Sequence, residues 1–137
     1  MKPSDYQKEP HLKNENIAIL THLKSGYKLV EKKVTLKNGL DELNVLKQLD
    51  AVYFPSLVDY HFDQNEAYLY LSKINGKNLE EVKDDPAFYA EVIQNKKVVF
   101  RNAVKAVMSF HEFGFIHRDV KPSNVILDKH LNVYLID

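Results

Sequence analysis

Apolar residues recur along this chain at two spacings, and the change from one to the other marks out its elements. Ile17 to Thr21 and Tyr27 to Val34 alternate as strands do, and Lys24-Ser25-Gly26 between them reads as the turn of a pair. From Leu40 to Leu49 the spacing becomes helical, with Leu40, Leu43, Val45, Leu46 and Leu49 on an apolar side. Val52 to His61 and Glu66 to Ser72 predict two further strands joined by Phe62-Asp63-Gln64-Asn65. Between Val98 and Phe113, Phe100, Ala103, Val104, Val107, Phe110 and His111 recur at three- and four-residue steps. They predict a helix with one buried face, ended by Gly114 as a left-handed cap. Val125 to Leu127 and Val133 to Ile136 are short strand-like runs around the turn-rich link Asp128 to Asn132. No internal repeat or low-complexity tract interrupts this order.

Composition narrows the class of protein. A chain of 137 residues, 45% apolar and 28% charged, can bury a core of ordinary size. No apolar run approaches the roughly twenty residues that cross a bilayer, and the polar start Met1-Lys2-Pro3-Ser4-Asp5 is no export signal. The absence of cysteine removes disulfides and thiolate metal sites and leads to an expected cytoplasmic location. A formal net charge of zero gives no electrostatic case for nucleic acid or an anionic membrane as partner.

The densest chemistry is His117-Arg118-Asp119-Val120-Lys121-Pro122-Ser123-Asn124, followed by the two strand-like runs and then Asp137. Taken one at a time, a His, Asp or Asn beside a turn is usually a capping or solvated residue, and Pro122-Ser123-Asn124 alone signals only a turn. The whole string in register, with a helix before it and strands after it, is far more specific. It resembles the catalytic loop of the eukaryotic-type serine/threonine protein kinases, and Asp137 stands where that family's Asp-Phe-Gly motif begins.

The resemblance implies an α+β, protein-kinase-like fold: a small, mainly antiparallel β lobe with one helix, then the first part of a helical lobe. The small lobe would cover about residues 6–71, the hinge 72–76 and the incomplete second lobe 77–137. It also implies phosphoryl transfer from ATP with Mg²⁺ to serine or threonine hydroxyls of a protein substrate. In that reading Asp119 is the catalytic base, Lys121 steadies the γ-phosphate, and Asn124 with Asp137 holds magnesium through hard oxygen donors. Lys32 on the third strand would contact the α- and β-phosphates and pair with Glu42, with Lys28 and Lys33 as competing lysines. Val30 lies on the Lys32 side of that strand and, with Ile17, would flank the nucleotide. Ser72 and Lys73 begin the hinge, where adenine is expected beside the backbone, and Asn75-Gly76-Lys77-Asn78-Leu79 is similar to the segment that follows the family's hinge. The close spacing of Lys32 and Glu42 implies a helix shortened at its start.

Two departures accompany the resemblance. The stretch matching the family's glycine-rich loop, Pro10 to Asn16, contains no glycine, so weak binding of MgATP is expected. The chain also ends at Asp137 in a family whose domain is roughly twice as long, which implies an N-terminal fragment with little activity by itself. A pseudokinase that binds partners through the same fold is the alternative that the glycine-free stretch favours. A small-molecule phosphotransferase of the aminoglycoside-kinase type is the other, and Arg118 with Lys121-Pro122 argues against it.

Overall fold

The computed structural model describes residues 1–11, 14–49, 52–112 and 120–136. They fall into two compact units, one of Met1–Gln48 with Ser56–Lys73, the other of Leu49–Pro55 with the described residues from Ile74 on.

The first unit is an antiparallel sheet carrying one helix. Its elements in chain order are β1 (Tyr6–Pro10), β2 (Ile17–His22), β3 (Lys28–Thr35), α1 (Leu36–Leu46), β4 (Leu57–Phe62) and β5 (Glu66–Ser72), and the strands lie in the order β1-β2-β3-β5-β4. The β2–β3 turn falls where the sequence predicts it. The His22 N–H donates to the Tyr27 carbonyl, and Gly26 takes a φ of +73°, which a side chain would resist. β1 has no alternation to betray it: Tyr6 is half-buried and the rest of Tyr-Gln-Lys-Glu-Pro is exposed.

Antiparallel register sorts the sheet's side chains onto two faces. On one, Leu20, Leu29 and Tyr70 form a cluster against Tyr6 and Tyr68. Glu31 is buried there, and its carboxylate is compensated by Lys8 Nζ at 2.8 Å. Burial, and then the charge and hydrogen bond of Glu31, push the Tyr70 phenol up to about 12.

The other face carries α1, and here the structure corrects the sequence reading. The helix spans Leu36–Leu46 rather than residues 40–49, because Thr35 is both the last residue of β3 and the N-cap, its hydroxyl accepting from the Asn38 N–H at 3.3 Å. The short Lys32–Glu42 spacing thus comes from a strand that passes into a helix with no linker. Leu40, expected on the apolar side, is 52% exposed, and the buried residues are Gly39 and Leu43. Leu49 lies outside the helix and packs in the core of the second unit.

β4 begins at Leu57, not Val52. Val52 to Pro55 belong to the second unit, where the Tyr53 carbonyl accepts from the Leu135 N–H at 2.8 Å and Phe54 packs on Phe110 with ring centroids 5.7 Å apart. Pro55 interrupts the run, since it has no N–H for a ladder.

The second unit joins a small sheet to helices. β6 (Lys77–Asn78), β7 (Val125–Leu127) and β8 (Val133–Leu135) pair in that order, all antiparallel. Between β6 and β7 run α2 (Leu79–Val82), α3 (Pro86–Gln94) and α4 (Lys96–Glu112). α2 and α3 were missed by the reading of apolar periodicity, although end signals mark them: Asn78 and Glu81 form a reciprocal capping box, and Asp85-Pro86 supplies an N-cap followed by proline at the first turn. Asp128 anchors the β7–β8 link, its carboxylate accepting from the His130 and Asn132 N–H groups and from the Tyr134 hydroxyl.

The core of this unit is Phe54, Ala106, Val125, Leu127, Val133 and Leu135. α4 meets it through Val99, Ala103, Ala106, Val107 and Phe110. The expected face is therefore rotated: Ala103, Val107 and Phe110 are on it, while Phe100 is 71% exposed and Val104 and His111 also face solvent. The apolar arc of α4 is wider than one partner covers, so periodicity alone could not choose its buried half. Phe113 and Gly114 lie outside the described residues.

Candidate active site

The first unit supplies a paired charge on the α1 face of its sheet. Ile17, Lys32 and Leu69 are register partners across β2, β3 and β5, and Ile19, Val30 and Leu71 form the adjoining row. Directly opposed residues on antiparallel strands share a face, so Ile17, Val30 and Lys32 stand together on one surface. Lys32 Nζ lies 2.9 Å from Glu42 Oε1, the lysine side chain 16% exposed and the glutamate 36%. The competing lysines are placed differently. Lys33 points to the opposite face, with Nζ 3.9 Å from Glu66 Oε2, and Lys28 is exposed at the entry to β3.

Leu69 and Leu71 were not singled out from the sequence. Once Lys32 is fixed, the register puts them beside it, so the missing information was the alignment of β3 with β5 rather than any property of the leucines.

At the end of β5 the backbone is fixed by its neighbours. Ser72 exchanges with Ser56 twice, its N–H donating to the Ser56 carbonyl at 2.8 Å and its Oγ accepting from the Ser56 N–H at 2.9 Å. The Lys73 N–H donates to the Lys28 carbonyl at 3.4 Å, and the Lys73 side chain is exposed. In the second unit the Gly76 N–H closes onto the Ile74 carbonyl at 3.1 Å.

The second unit also carries the other group of candidates. Pro122–Asn124 form one 3-10 turn that leads directly into β7. Lys121 is exposed and its carbonyl accepts from the Asn124 N–H at 2.9 Å, which fixes the turn. Asn124 is 6% exposed, and its own carbonyl accepts from the Ile136 N–H at 2.9 Å. That bond brings the end of the β8 segment alongside Asn124. His117, Arg118, Asp119 and Asp137 lie outside the described residues. Among the described residues no cluster of three or more His, Cys, Asp or Glu could hold a metal, and no helix is long and apolar enough to cross a membrane.

A lysine–glutamate pair between strand and helix, in a chain that also carries a loop string of this kind, directs attention to one family. The sequence pattern described as "Protein kinase domain" matches residues 11–137. This chain belongs to the protein kinase family. Kinase relatives carry named similarity as well. Serine/threonine-protein kinase F of Synechocystis is 38% identical over 90 residues, which is 62% of this chain and 17% of that protein. The probable serine/threonine-protein kinases fnkB and fhkE of Dictyostelium discoideum are 33% identical over 98 residues and 30% identical over 120 residues; these stretches are 69% and 82% of this chain and 17% and 16% of the relatives. The chain thus spans less than a fifth of the length of each of these three relatives. Members of the family use ATP with Mg²⁺ and transfer its γ-phosphoryl group to protein hydroxyls.

Proposed function

We propose that this chain is the nucleotide-binding and catalytic-loop portion of a serine/threonine protein kinase, which transfers the γ-phosphoryl group of ATP to a serine or threonine hydroxyl of a protein. The observation that carries the proposal is the Lys32–Glu42 pair, held at 2.9 Å on the same face as Ile17 and Val30 in a chain that also contains the Asp119, Lys121, Asn124 and Asp137 string. Phosphoryl transfer asks a protein mainly for placement and for positive charge over the phosphate oxygens. Lys32, oriented by Glu42, is a cation fixed in direction and suited to the α- and β-phosphates. Ile17 and Val30 offer an apolar surface to the adenosine, and the Ser72-Lys73 backbone a polar edge for adenine.

In the same reading Asp119 accepts the hydroxyl proton, and Lys121 stands near the γ-phosphate. Asn124 and Asp137 would hold magnesium; an amide oxygen and a carboxylate are the hard donors this ion prefers, and bound there it neutralises charge on the phosphate oxygens. The residues fit the ion by the chemistry of their donors, and among the described residues Asn124 is tied through its carbonyl to the Ile136 N–H. The proposed organisation is a small lobe at about 6–71, a hinge at 72–76 and the start of a second lobe from 77, in a cytoplasmic protein.

The test is substitution of Asp119 by Asn in the longer protein that contains a whole kinase domain. Radiolabelled phosphate transfer to serine and threonine of a generic protein substrate should disappear, while MgATP binding by calorimetry stays within about twofold, because the carboxylate orients the acceptor and does not hold the nucleotide. Transfer that persists in the variant would remove Asp119 from the role of base. An unsubstituted protein that binds a partner and transfers no phosphate would favour the pseudokinase reading, which the glycine-free Pro10 to Asn16 stretch supports.

A further inference from the structure

α1 sits on the sheet at a distance that only glycine allows. A Cβ built on Gly39 would lie 2.2 Å from the Ala67 Cβ and 3.3 Å from Val34 Cγ2. Carbon atoms in contact rest roughly 3.5–4.0 Å apart, so any side chain at 39 would lift the helix by more than an ångström or tilt it. Neither neighbour can yield freely. Ala67 is fully buried and paired on both sides, with Val34 of β3 and Phe62 of β4.

The same contact lies one helical turn from the charged pair. Gly39 rests on the Val34–Ala67 row, and Lys32–Leu69 is the next row on that face. Three residues of helix advance about 4.5 Å, and two residues of strand about 6.6 Å. A turn of α1 therefore carries Glu42 from the Ala67 row towards the Lys32 row, where its carboxylate meets the ammonium at 2.9 Å. With no linker between β3 and α1, the helix cannot recover a lost approach by sliding on a flexible connection.

We propose that Gly39 and Ala67 together are a positioning device for the Lys32–Glu42 pair: their missing and minimal side chains set the height of α1 over β5, and that height sets the distance at which Glu42 reaches Lys32. The inference rests on the reading of that pair as part of the kinase site. It makes Gly39 a specific requirement of this chain rather than a tolerated helix-breaker, since glycine inside a helix otherwise costs about 1 kcal/mol relative to alanine.

The experiment measures the pair itself. Lys32 in the full 137-residue chain is acylated at low conversion, and its rate is read by tandem mass spectrometry against Lys28 and Lys33 of the same peptide. Gly39→Ala should raise the Lys32 rate roughly threefold, the scale set by a partly exposed ion pair, to the value reached by Glu42→Gln. The double variant Gly39→Ala/Ala67→Gly, which moves one methyl across the contact, should return it to the parent value. A folded Gly39→Ala with an unchanged Lys32 rate overturns the proposal. If Gly39→Ala does not fold, the double variant decides: folded with Lys32 protected supports the device, and unfolded or with Lys32 still reactive overturns it. MgATP affinity, titrated in the longer protein, separates this inference from the reading beneath it. A Lys32 rate that follows position 39 while affinity does not leaves the positioning role standing and removes the pair from nucleotide binding.

Discussion

Replacing Gly76 by alanine should loosen the second unit, and the structure sets the size of the effect. A Cβ at this position would meet the Leu127 carbonyl oxygen at 2.3 Å, the Leu127 carbonyl carbon at 2.9 Å and Ile126 Cγ2 at 2.9 Å. The first two are backbone atoms of β7 and cannot rotate away, so the strands must part by about 1 Å to reach an ordinary contact. β6 is only Lys77–Asn78, paired with Leu127 and Ile126, so the whole β6–β7 ladder lies next to the insertion. Overpacking of this kind costs about 1–3 kcal/mol, and each ladder hydrogen bond lost adds about 1 kcal/mol. Against this, alanine restricts the unfolded chain and returns up to about 1 kcal/mol. A net loss near 2 kcal/mol follows, a rise of roughly thirtyfold in local opening. Hydrogen exchange by mass spectrometry on peptides spanning residues 125–135 reads it directly. Gly26→Ala is the counterpart, with nothing within 4 Å of the new methyl but a φ of +73°. It should cost about 1 kcal/mol through backbone conformation alone and act on β2 and β3. The reasoning fails if Gly76→Ala leaves β7 exchange within a factor of two, or if both variants loosen the same peptides.

Two further outcomes are expected from contacts outside the candidate site. Asn78→Ala removes the side-chain half of the capping box, in which the Glu81 N–H donates to Asn78 Oδ1 at 2.9 Å, keeps the return bond from the Asn78 N–H to Glu81 Oε1 at 3.1 Å, and should cost about 1 kcal/mol in urea denaturation. Asn78→Asp keeps the acceptor and should restore most of it; equal losses in the two variants would refute the cap. Tyr70, whose phenol is held up at about 12 by burial and then by Glu31, titrates from 10 in the unfolded chain. Its contribution is complete below pH 10 and is lost as pH rises towards 12, so stability should fall across that window and fall less steeply in Tyr70→Phe. Tyr68, raised by its hydrogen bond to Glu66, keeps part of the slope in the variant. Urea midpoints at pH 9, 10 and 11 with the same decline in both proteins would show that Tyr70 is not its source.

How much of this was legible in the sequence depended on what fixes each feature. The β2–β3 hairpin was readable because alternation and a Gly-containing turn are local, and both survive whatever packs on them. α1 and α4 were placed in kind but not in face. Leu40 of α1 and Phe100 of α4 satisfy helical periodicity as well as their buried neighbours do, yet both lie exposed. Which side of a helix is buried is a property of its partner, and in α1 the partner demanded Gly39, a residue that no hydrophobic count would choose. Val52 to Phe54 were misassigned for a related reason. Their composition suits a strand, but Pro55 separates them from β4, and Phe54 finds its place against Phe110.

The choice among three lysines shows where sequence reasoning reaches and where it stops. Strand alternation alone separates Lys33, which shares a face with Leu29 and Glu31, from Lys32, which shares one with Val30 and Val34. It cannot separate Lys28 from Lys32, since the two differ by an even number of residues and stand on the same side. Only the location of α1 does that, because a carboxylate on a short helix serves one row of the sheet. The row is selected where Gly39 meets Ala67, so the charge on the third strand and the smallest residue of the helix belong to one arrangement. A chain with a larger residue at 39 could keep every element of the motif and still hold Lys32 without its partner.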